Sequence, residues 1–370
     1  MNIRDIATIL ESWAPPALAW DQDNIGLQVG SQDDPVRNVL VALDLTDAVI
    51  AEARAKKASL IVTHHPLLYR PLRSVDTKSR TGRMIAALIG HGIATYAAHT
   101  NLDFTSGGVS FLLAGRLGLV DTTALSPTPV RRMKLVTFVP RDHADAVRDA
   151  MAKAGAGTIG AYTSCSFATE GTGTFRGDAT TKPFVGEAGR MEQAEEVRLE
   201  MILDEWQLPA VRAALSSAHP YEEIPVDLYR LENLDSRFGA GAIGKLPKAL
   251  RYKAFLSHVR SALGTPGLRH SGDPHRPIRT VAVCGGSGSD LVSRAIAAGA
   301  DAFVTADVRY HAFQEPDGRI ALVDAGHFET ESPAVAEIAA HLGRDPRVRA
   351  AKVRIIVSRS SKNPVQYFPS

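Results

Sequence analysis

Cysteine is almost missing from this sequence: Cys165 and Cys284 are the only two in 370 residues. Two thiols cannot build a disulfide framework, so nothing here points to an oxidising, exported setting. Long apolar runs are missing as well. No stretch approaches the roughly 18 apolar residues that a membrane-spanning helix needs. Charge of one sign is not in excess, since 42 Lys and Arg stand against 40 Asp and Glu for a formal net charge of +2. So small a balance gives no field to attract nucleic acid or an acidic membrane. Aromatic residues make up 6% of the chain and no basic stripe interleaves with them, which argues against a nucleic-acid or transcription partner. The opening "MNIRDIATILESWAPP" carries Asp5 and Glu11 and has no basic segment ahead of an apolar core. It reads as an amphipathic helix stopped at Pro15 rather than a secretory signal, and a cytoplasmic protein is expected.

What is present is the ordinary material of a globular protein, 45% hydrophobic and 22% charged, long enough for two or three domains. The first third alternates strands (38–45, 59–65, 93–99) with helices (47–58, 81–92, 108–119). The last third resumes that pattern with strands at 278–285, 301–307, 319–326 and 353–359 and helices at 289–300 and 332–343. Ser332 is placed to cap the last of these helices, with Pro333 in its first turn. Strands joined by helical crossovers imply a mostly parallel sheet covered on both faces.

The middle differs. Strands at 133–140, 162–169, 195–203 and 224–231, with helices near 142–154 and 207–217, follow the order β-α-β-β-α-β of the ferredoxin-like motif. The segment "SPTP" (126–129) precedes it and the glycine-rich "NLDSRFGAGAIG" (233–244) follows. The expected organisation is one split α/β domain, 1–129 and 233–370, interrupted by a ferredoxin-like α+β domain over 130–232. The outer parts also carry a faint repeat. "VLVALDLTDAVIAEARAKKASLIVTHH" (39–65) resembles "TVAVCGGSGSDLVSRAIAAGADAFVTAD" (280–307), and each is followed by a histidine with a carboxylate four residues on. A pseudo-twofold pair of half-sites facing one cleft is the economical explanation.

Chemistry concentrates at strand ends. "LIVTHHPLL" (60–68) is an apolar strand ending in two adjacent histidines, although neighbouring side chains on a strand point to opposite faces. Pro66 forces the chain out of regular pairing there, so both His64 and His65 can turn toward one crevice. His99 and Asp103 follow a second strand, and His327 and Glu331 follow a third. Carboxyl strand ends are where open α/β sheets place their ligands. Four imidazoles and two carboxylates exceed the needs of one tetrahedral ion and suit two divalent ions with a bridging ligand. Such ions sit about 3.5–4 Å apart, activate water and polarise an electrophile. Zinc, iron(II), manganese and cobalt would all accept these ligands.

A lone histidine at the end of an element is more often a hydrogen-bonded structural residue, and His91, His143, His258 and His341 are read that way. "VAVCGGSGSD" (281–290) is neither a dinucleotide fingerprint nor a Walker loop. A tight turn capped by Ser289 and an anion site at the following helix both remain open for it. Asp307 and His311, in "TADVRYH", fall in the second half-site and are assigned to ligand support or proton transfer.

Taken together, "WDQDNIGLQVG" (20–30), "THHPLL" (63–68), "AAHTNLD" (97–103), "CGGSGSD" (284–290), "TADVRYH" (305–311) and "GHFETE" (326–331) resemble the Nif-three-like dinuclear metal-centre family. That family is also labelled the GTP cyclohydrolase 1 type 2 homologue family, and the likeness spans nearly the whole chain. "FATEGTGTFRGD" (167–178) and "AHPYEEIPVDLY" (218–229) resemble the longer bacterial branch, whose insert is similar to the PII/CutA type of ferredoxin-like domain. The resemblance implies two divalent ions per subunit on His64, His65, His99, Asp103, His327 and Glu331. It also implies a toroidal homohexamer, a trimer of dimers whose metal sites face an internal cavity. One departure is visible: the family often has Gly-Asp where this chain has Ala306-Asp307.

The leading expectation is a metal-dependent hydrolase acting on a small-molecule substrate, a nucleotide or other phosphoester, with Asp307 or His311 moving the proton. The alternative is a non-enzymatic metal-binding or metal-delivery protein whose insert senses a small ligand.

Overall fold

Asn2 and Asp5 set the first helix, α1 (Ile3–Trp13), through a reciprocal cap in which each side chain accepts from the other's backbone N–H. Its buried residues, Ile3, Ile6, Ala7, Ile9 and Leu10, share one face at helical spacing. The computed structural model describes residues 1–128, 132–233 and 237–368. The chain divides into two compact units, Met1–Thr128 with Asp235–Ser370, and Pro129–Leu234. The junction expected at 129/130 lies on 129–131, outside the described residues, and the one expected at 232/233 lies just before 234–236, also outside them.

In chain order the first unit continues with β1 (Gly26–Val29), β2 (Asn38–Ala42), α2 (Asp47–Ala55), β3 (Leu60–Thr63) and α3 (Arg80–His91). Then come β4 (Ala94–Ala97), α4 (Thr100–Phe104), α5 (Val109–Arg116) and β5 (Val120–Pro127). The second unit holds β6 (Arg132–Pro140), α6 (Ala144–Lys153), β7 (Phe167–Phe175), β8 (Glu192–Asp204), α7 (Leu208–Ala218) and β9 (Val226–Leu231). The first unit resumes with β10 (Gly239–Arg251), α8 (Tyr252–Leu263), β11 (Arg269–Ser271), β12 (Pro277–Ser287), α9 (Val292–Ala297) and β13 (Ala302–Ala306). It closes with β14 (Ala321–Asp324), α10 (His327–Glu331), α11 (Pro333–Arg344), α12 (Pro346–Ala350) and β15 (Arg354–Val357).

The first unit is mixed α/β and holds two sheets where one was expected. The five-stranded sheet runs β1-β4-β3-β2-β15, with β4, β3, β2 and β15 parallel to their neighbours and β1 antiparallel at the edge. The six-stranded sheet runs β11-β14-β13-β12-β10-β5, parallel only across β14, β13 and β12. Strand alternation explains the packing. Val39, Val41, Leu60 and Val62 join the core under α1 and α11, while Leu40, Ala42 and Ile61 face α2 and α3. In the second sheet Val281, Val304 and Val323 pack with Phe255 of α8, and Ala282, Phe303 and Leu322 pack with Val292 of α9. Both faces of each parallel segment are therefore buried, which is why these strands read as continuous apolar runs.

β5 and β10 were not among the expected strands, and they overlap the flanking segments "SPTP" (126–129) and "NLDSRFGAGAIG" (233–244). A glycine of β10 permits their close pairing: a Cβ at Gly239 would meet the Ser126 carbonyl oxygen at 2.2 Å. Ser332 does stand at the N-cap of α11, with Pro333 following, but its side chain makes no cap hydrogen bond. Gly92, with φ +62°, ends α3 as the sequence suggests.

In the second unit the order is β-α-β-β-α-β, and the antiparallel sheet runs β7-β8-β6-β9. Met133, Leu135, Leu199 and Met201 pack beneath Val147 and Met151 of α6 and Val211 and Leu215 of α7. The strand expected at 162–169 begins instead at Phe167, because Ser164 takes a left-handed conformation (φ +58°) that breaks the extended run. Among the described residues no helix is long and apolar enough to cross a membrane.

Candidate metal centre

The carboxyl ends of five strands in the first unit supply the candidate site. β3 ends at Thr63 and is followed at once by His64, His65 and Pro66. The His64 and His65 rings lie 4.9 Å apart, so the two neighbours do converge. After β4, His99 stands at the N-cap of α4, and Asp103 follows one helical turn on. After β14, Gly326 (φ +92°) turns the chain into α10, which opens with His327 and closes with Glu331. The two His-x-x-x-acid spacings, expected in loops, are thus single turns of short helices. Asp44 follows β2 and Asp307 follows β13.

Every one of the four histidines has its Nδ1 engaged. His64 Nδ1 donates to the Ala98 carbonyl at 2.8 Å, and His65 Nδ1 donates to Asp44 at 2.8 Å. His99 Nδ1 lies 2.9 Å from both oxygens of Asp23, and His327 Nδ1 donates to Asp307 at 2.6 Å. Those acceptors fix the proton on Nδ1 and leave Nε2 free to face the cluster, as supporting groups of metal-bound imidazoles do. Asp307 reaches its partner from a left-handed backbone conformation (φ +53°), which aspartate tolerates better than most residues.

The Nε2 atoms meet around Glu331, which is only 4% exposed. Glu331 Oε2 is 3.0 Å from His65 Nε2 and 3.0 Å from His327 Nε2, and these two nitrogens are 3.4 Å apart. Its other oxygen, Oε1, is 3.9 Å from His64 Nε2, which in turn is 3.6 Å from Asp103 Oδ1. Three buried atoms in this set, His64 Nε2, Asp103 Oδ1 and Glu331 Oε2, have no hydrogen-bond partner among the described residues. Ligand atoms of His64, His65 and His99 lie within 4.8 Å of one another, as do those of His65, His327 and Glu331, and each group could hold a metal ion. Orphaned buried donors and acceptors of these types fit a divalent cation.

Charge follows the same layout. Burial pushes the His64 imidazole down to about 4, so it stays neutral. Burial also works against charge on His65, but Asp44 and Glu331 outweigh it and push that ring up to about 10. Glu331 above all, with Asp307 behind it, pushes His327 up to about 9. The Glu331 carboxyl is itself buried, yet its histidine neighbours hold it well below the usual carboxylate range. Burial, then repulsion from Glu331, raises the Asp103 carboxyl well above that range. The two neighbouring carboxylates are thus shifted in opposite directions, Glu331 down by its histidines and Asp103 up by burial and by Glu331.

"CGGSG" acquires a reason. A Cβ at Gly286 would lie 2.1 Å from Glu331 Oε1, so this glycine (φ +61°) makes room for the carboxylate. Ser289 is not the cap of the next turn; Gly288 holds that position. Sequence reasoning missed Asp23 and Asp44 as histidine partners. The available signal for Asp44 was an acid interrupting the apolar run "VALDL" at a carboxyl strand end. Asp307 joins the site through His327, and it lines a cavity of about 450 Å³ together with Asp44, His65, His327, Arg269 and Tyr367. His311 is exposed on a turn with its ring against Tyr310. Of the histidines read as structural, His258 Nε2 donates to the Leu117 carbonyl at 2.9 Å, and His341 stacks on Trp13.

The Duf34/NIF3 (NGG1p interacting factor 3) family profile matches residues 1–364. This chain belongs to the Duf34/NIF3 family. Among curated relatives, a Halalkalibacterium halodurans protein named GTP cyclohydrolase 1 type 2 homolog is 43% identical over 329 residues, 88% of each chain. A Bacillus subtilis protein of the same name is 37% identical over 370 residues, 100% of this chain and 99% of that one. The crystal structure of a Bacillus cereus protein related to NIF3 matches with a TM-score of 0.88 and 39% identity, covering 100% of this chain and 99% of that one.

Proposed function

We propose that this protein is a hydrolase dependent on two divalent metal ions and acting on a nucleotide or other phosphoester. The observation that carries the reading is Glu331. Its Oε1 faces His64, beside Asp103 and His99, while its Oε2 faces His65 and His327. A carboxylate so placed would serve two ions at once, the first held with His64, His99 and Asp103 and the second with His65 and His327. When bound, such ions supply Lewis acidity to an electrophile and to water. Zinc, iron, manganese and cobalt all suit this donor set.

The chain's own residues orient and move protons. Asp23, Asp44 and Asp307 hold the Nδ1 protons of His99, His65 and His327, which keeps each Nε2 aimed inward. Asp307 also borders the 450 Å³ cavity, where a substrate would sit, and would take or return a proton there. His311, exposed on its turn, is the other candidate for that proton transfer. A nucleotide substrate is consistent with the relatives' name, which is a statement about those proteins. In the same reading the second unit is an inserted ferredoxin-like, PII/CutA-like domain, supported by its element order. The two sheets of the first unit are pseudo-twofold halves, supported by site residues at the carboxyl ends of both. The assembly is a homohexamer in the cytoplasm.

The test is a turnover screen of nucleotides and phosphoesters with metal content measured in parallel. The reading requires a substrate whose turnover is lost in Asp103→Ala. Metal binding without any turnover favours the second reading, a metal-binding or metal-delivery protein whose insert senses a ligand. The observation behind that alternative is a separate cavity of about 480 Å³ within the second unit.

A further inference from the structure

We propose that the 480 Å³ cavity of the second unit is a binding site for a small organic cation with an apolar body. Its volume falls within the roughly 300–1,000 Å³ of small-molecule pockets. Phe138, Phe175, Phe184 and Tyr221 line it. Phe184 and Tyr221 have ring centroids 6.1 Å apart, and Phe184 is 52% exposed, a cost that a bound apolar ligand would remove. Aromatic faces carry a negative quadrupole and attract cations.

One carboxylate decides the sign of the charge. Glu196 lines the cavity, and Tyr221 donates its hydroxyl to Glu196 Oε1 at 2.7 Å. Tyr221 is itself anchored, because its backbone N–H donates to His219 Nδ1 at 3.2 Å and His219 Nε2 donates to the Phe138 carbonyl at 3.1 Å. Gly173 opens the wall beside the carboxylate, since a Cβ there would lie 2.1 Å from Glu196 Oε2. Among the described residues no Lys or Arg pairs with Glu196. Glu222 and Glu223 add two more acids to the lining, against the exposed Arg176. A neutral apolar ligand would leave the Glu196 charge half-buried with one neutral partner, and an anion would be repelled. A cation satisfies the carboxylate and the rings together.

This inference supplies a ligand class for the sensing role in the second reading above. Its test involves neither turnover nor metal, so its failure and the hydrolase's failure are separable. The full-length protein is titrated in a calorimeter with benzyltrimethylammonium, benzyl alcohol and benzoate. Saturable binding of the ammonium ion at one site per chain is expected, with the alcohol and benzoate at least about tenfold weaker. Glu196→Gln should weaken the cation about tenfold or more, and Phe184→Ala, an exposed position, should weaken it without touching the core. Tyr221→Phe keeps the ring and leaves the carboxylate without its hydroxyl donor, so the preference for the cation should be kept or increased. Equal binding of all three probes, preference for benzoate, an unchanged Glu196→Gln affinity, or no binding of the ammonium ion would each overturn the proposal.

Discussion

Four imidazoles in this chain present Nε2 to one cluster, and three of them do so because an aspartate holds the opposite nitrogen. Support of this kind typically contributes ten- to a hundredfold in metal affinity. Asp44→Ala removes the acceptor for His65 and should weaken metal binding by about that factor, with circular dichroism unchanged; equal affinity in titrations of both proteins would contradict the role given to Asp44. Asp307→Asn is a different change. Its amide oxygen can still accept from His327 Nδ1, so metal content should largely survive while any hydrolytic rate falls about 10²-fold, the scale of lost acid–base catalysis. A full rate with full metal content would remove Asp307 from proton transfer. Of the residues singled out from sequence, the six donors proved to be neighbours in space, whereas the aspartates behind them were not foreseen. Donors announce themselves by residue type and spacing. Their supports are common acids whose role exists only through a partner 20 to 76 residues away.

At the scale of elements, short turns govern both units. The turn at Gly286 and helix α10 are matched, since the glycine leaves the volume that Glu331 fills. Gly286→Ala would force Glu331 aside and impose a left-handed conformation on alanine, at a cost of about 1–3 kcal/mol. Metal occupancy should drop while the protein stays folded, and elemental analysis of the purified variant beside wild type reads this directly. In the second unit, the turn after α7 depends on a neutral His219, because its Nδ1 accepts from Tyr221 N–H and cannot do so once protonated. Burial accordingly lowers the His219 pKa below its ordinary value. The unfolded chain then takes up this proton at a higher pH than the folded one. The histidine's contribution to stability is complete above about pH 6.5 and is lost as pH falls through the depressed folded value. Thermal unfolding at about pH 7.5 and about pH 5 should show a smaller acid-induced drop in His219→Gln than in wild type; parallel drops would rule the linkage out. Periodicity made the buried parallel strands visible from sequence, and caps such as Gly92 marked helix ends. It did not reveal β5 and β10, which are glycine-, threonine- and proline-bearing strands with exposed positions, paired across more than a hundred residues.

For the molecule as a whole, the second unit has its own hydrophobic core and its own sheet. We expect a protein in which 130–232 is replaced by a short flexible linker to remain soluble and to bind as much metal as the full chain, because every candidate ligand lies outside that segment. An insoluble or metal-free product, made under conditions where the full chain is sound, would count against a self-contained insert. The class of structure, alternating α and β with buried parallel strands, was determined by local composition, since apolar runs, glycine stops and charge balance act over a few residues. The donor set was determined in the same way, because only His, Asp, Glu and Cys offer such ligands and their positions at strand ends are local facts. The division of the first unit into two mixed sheets, the meeting of β3, β4 and β14 ends around Glu331, and the choice of Asp23, Asp44 and Asp307 as supports were decided by tertiary structure. Each depends on which distant segments come to share a core, a pairing set by summed packing over many residues rather than by any one stretch.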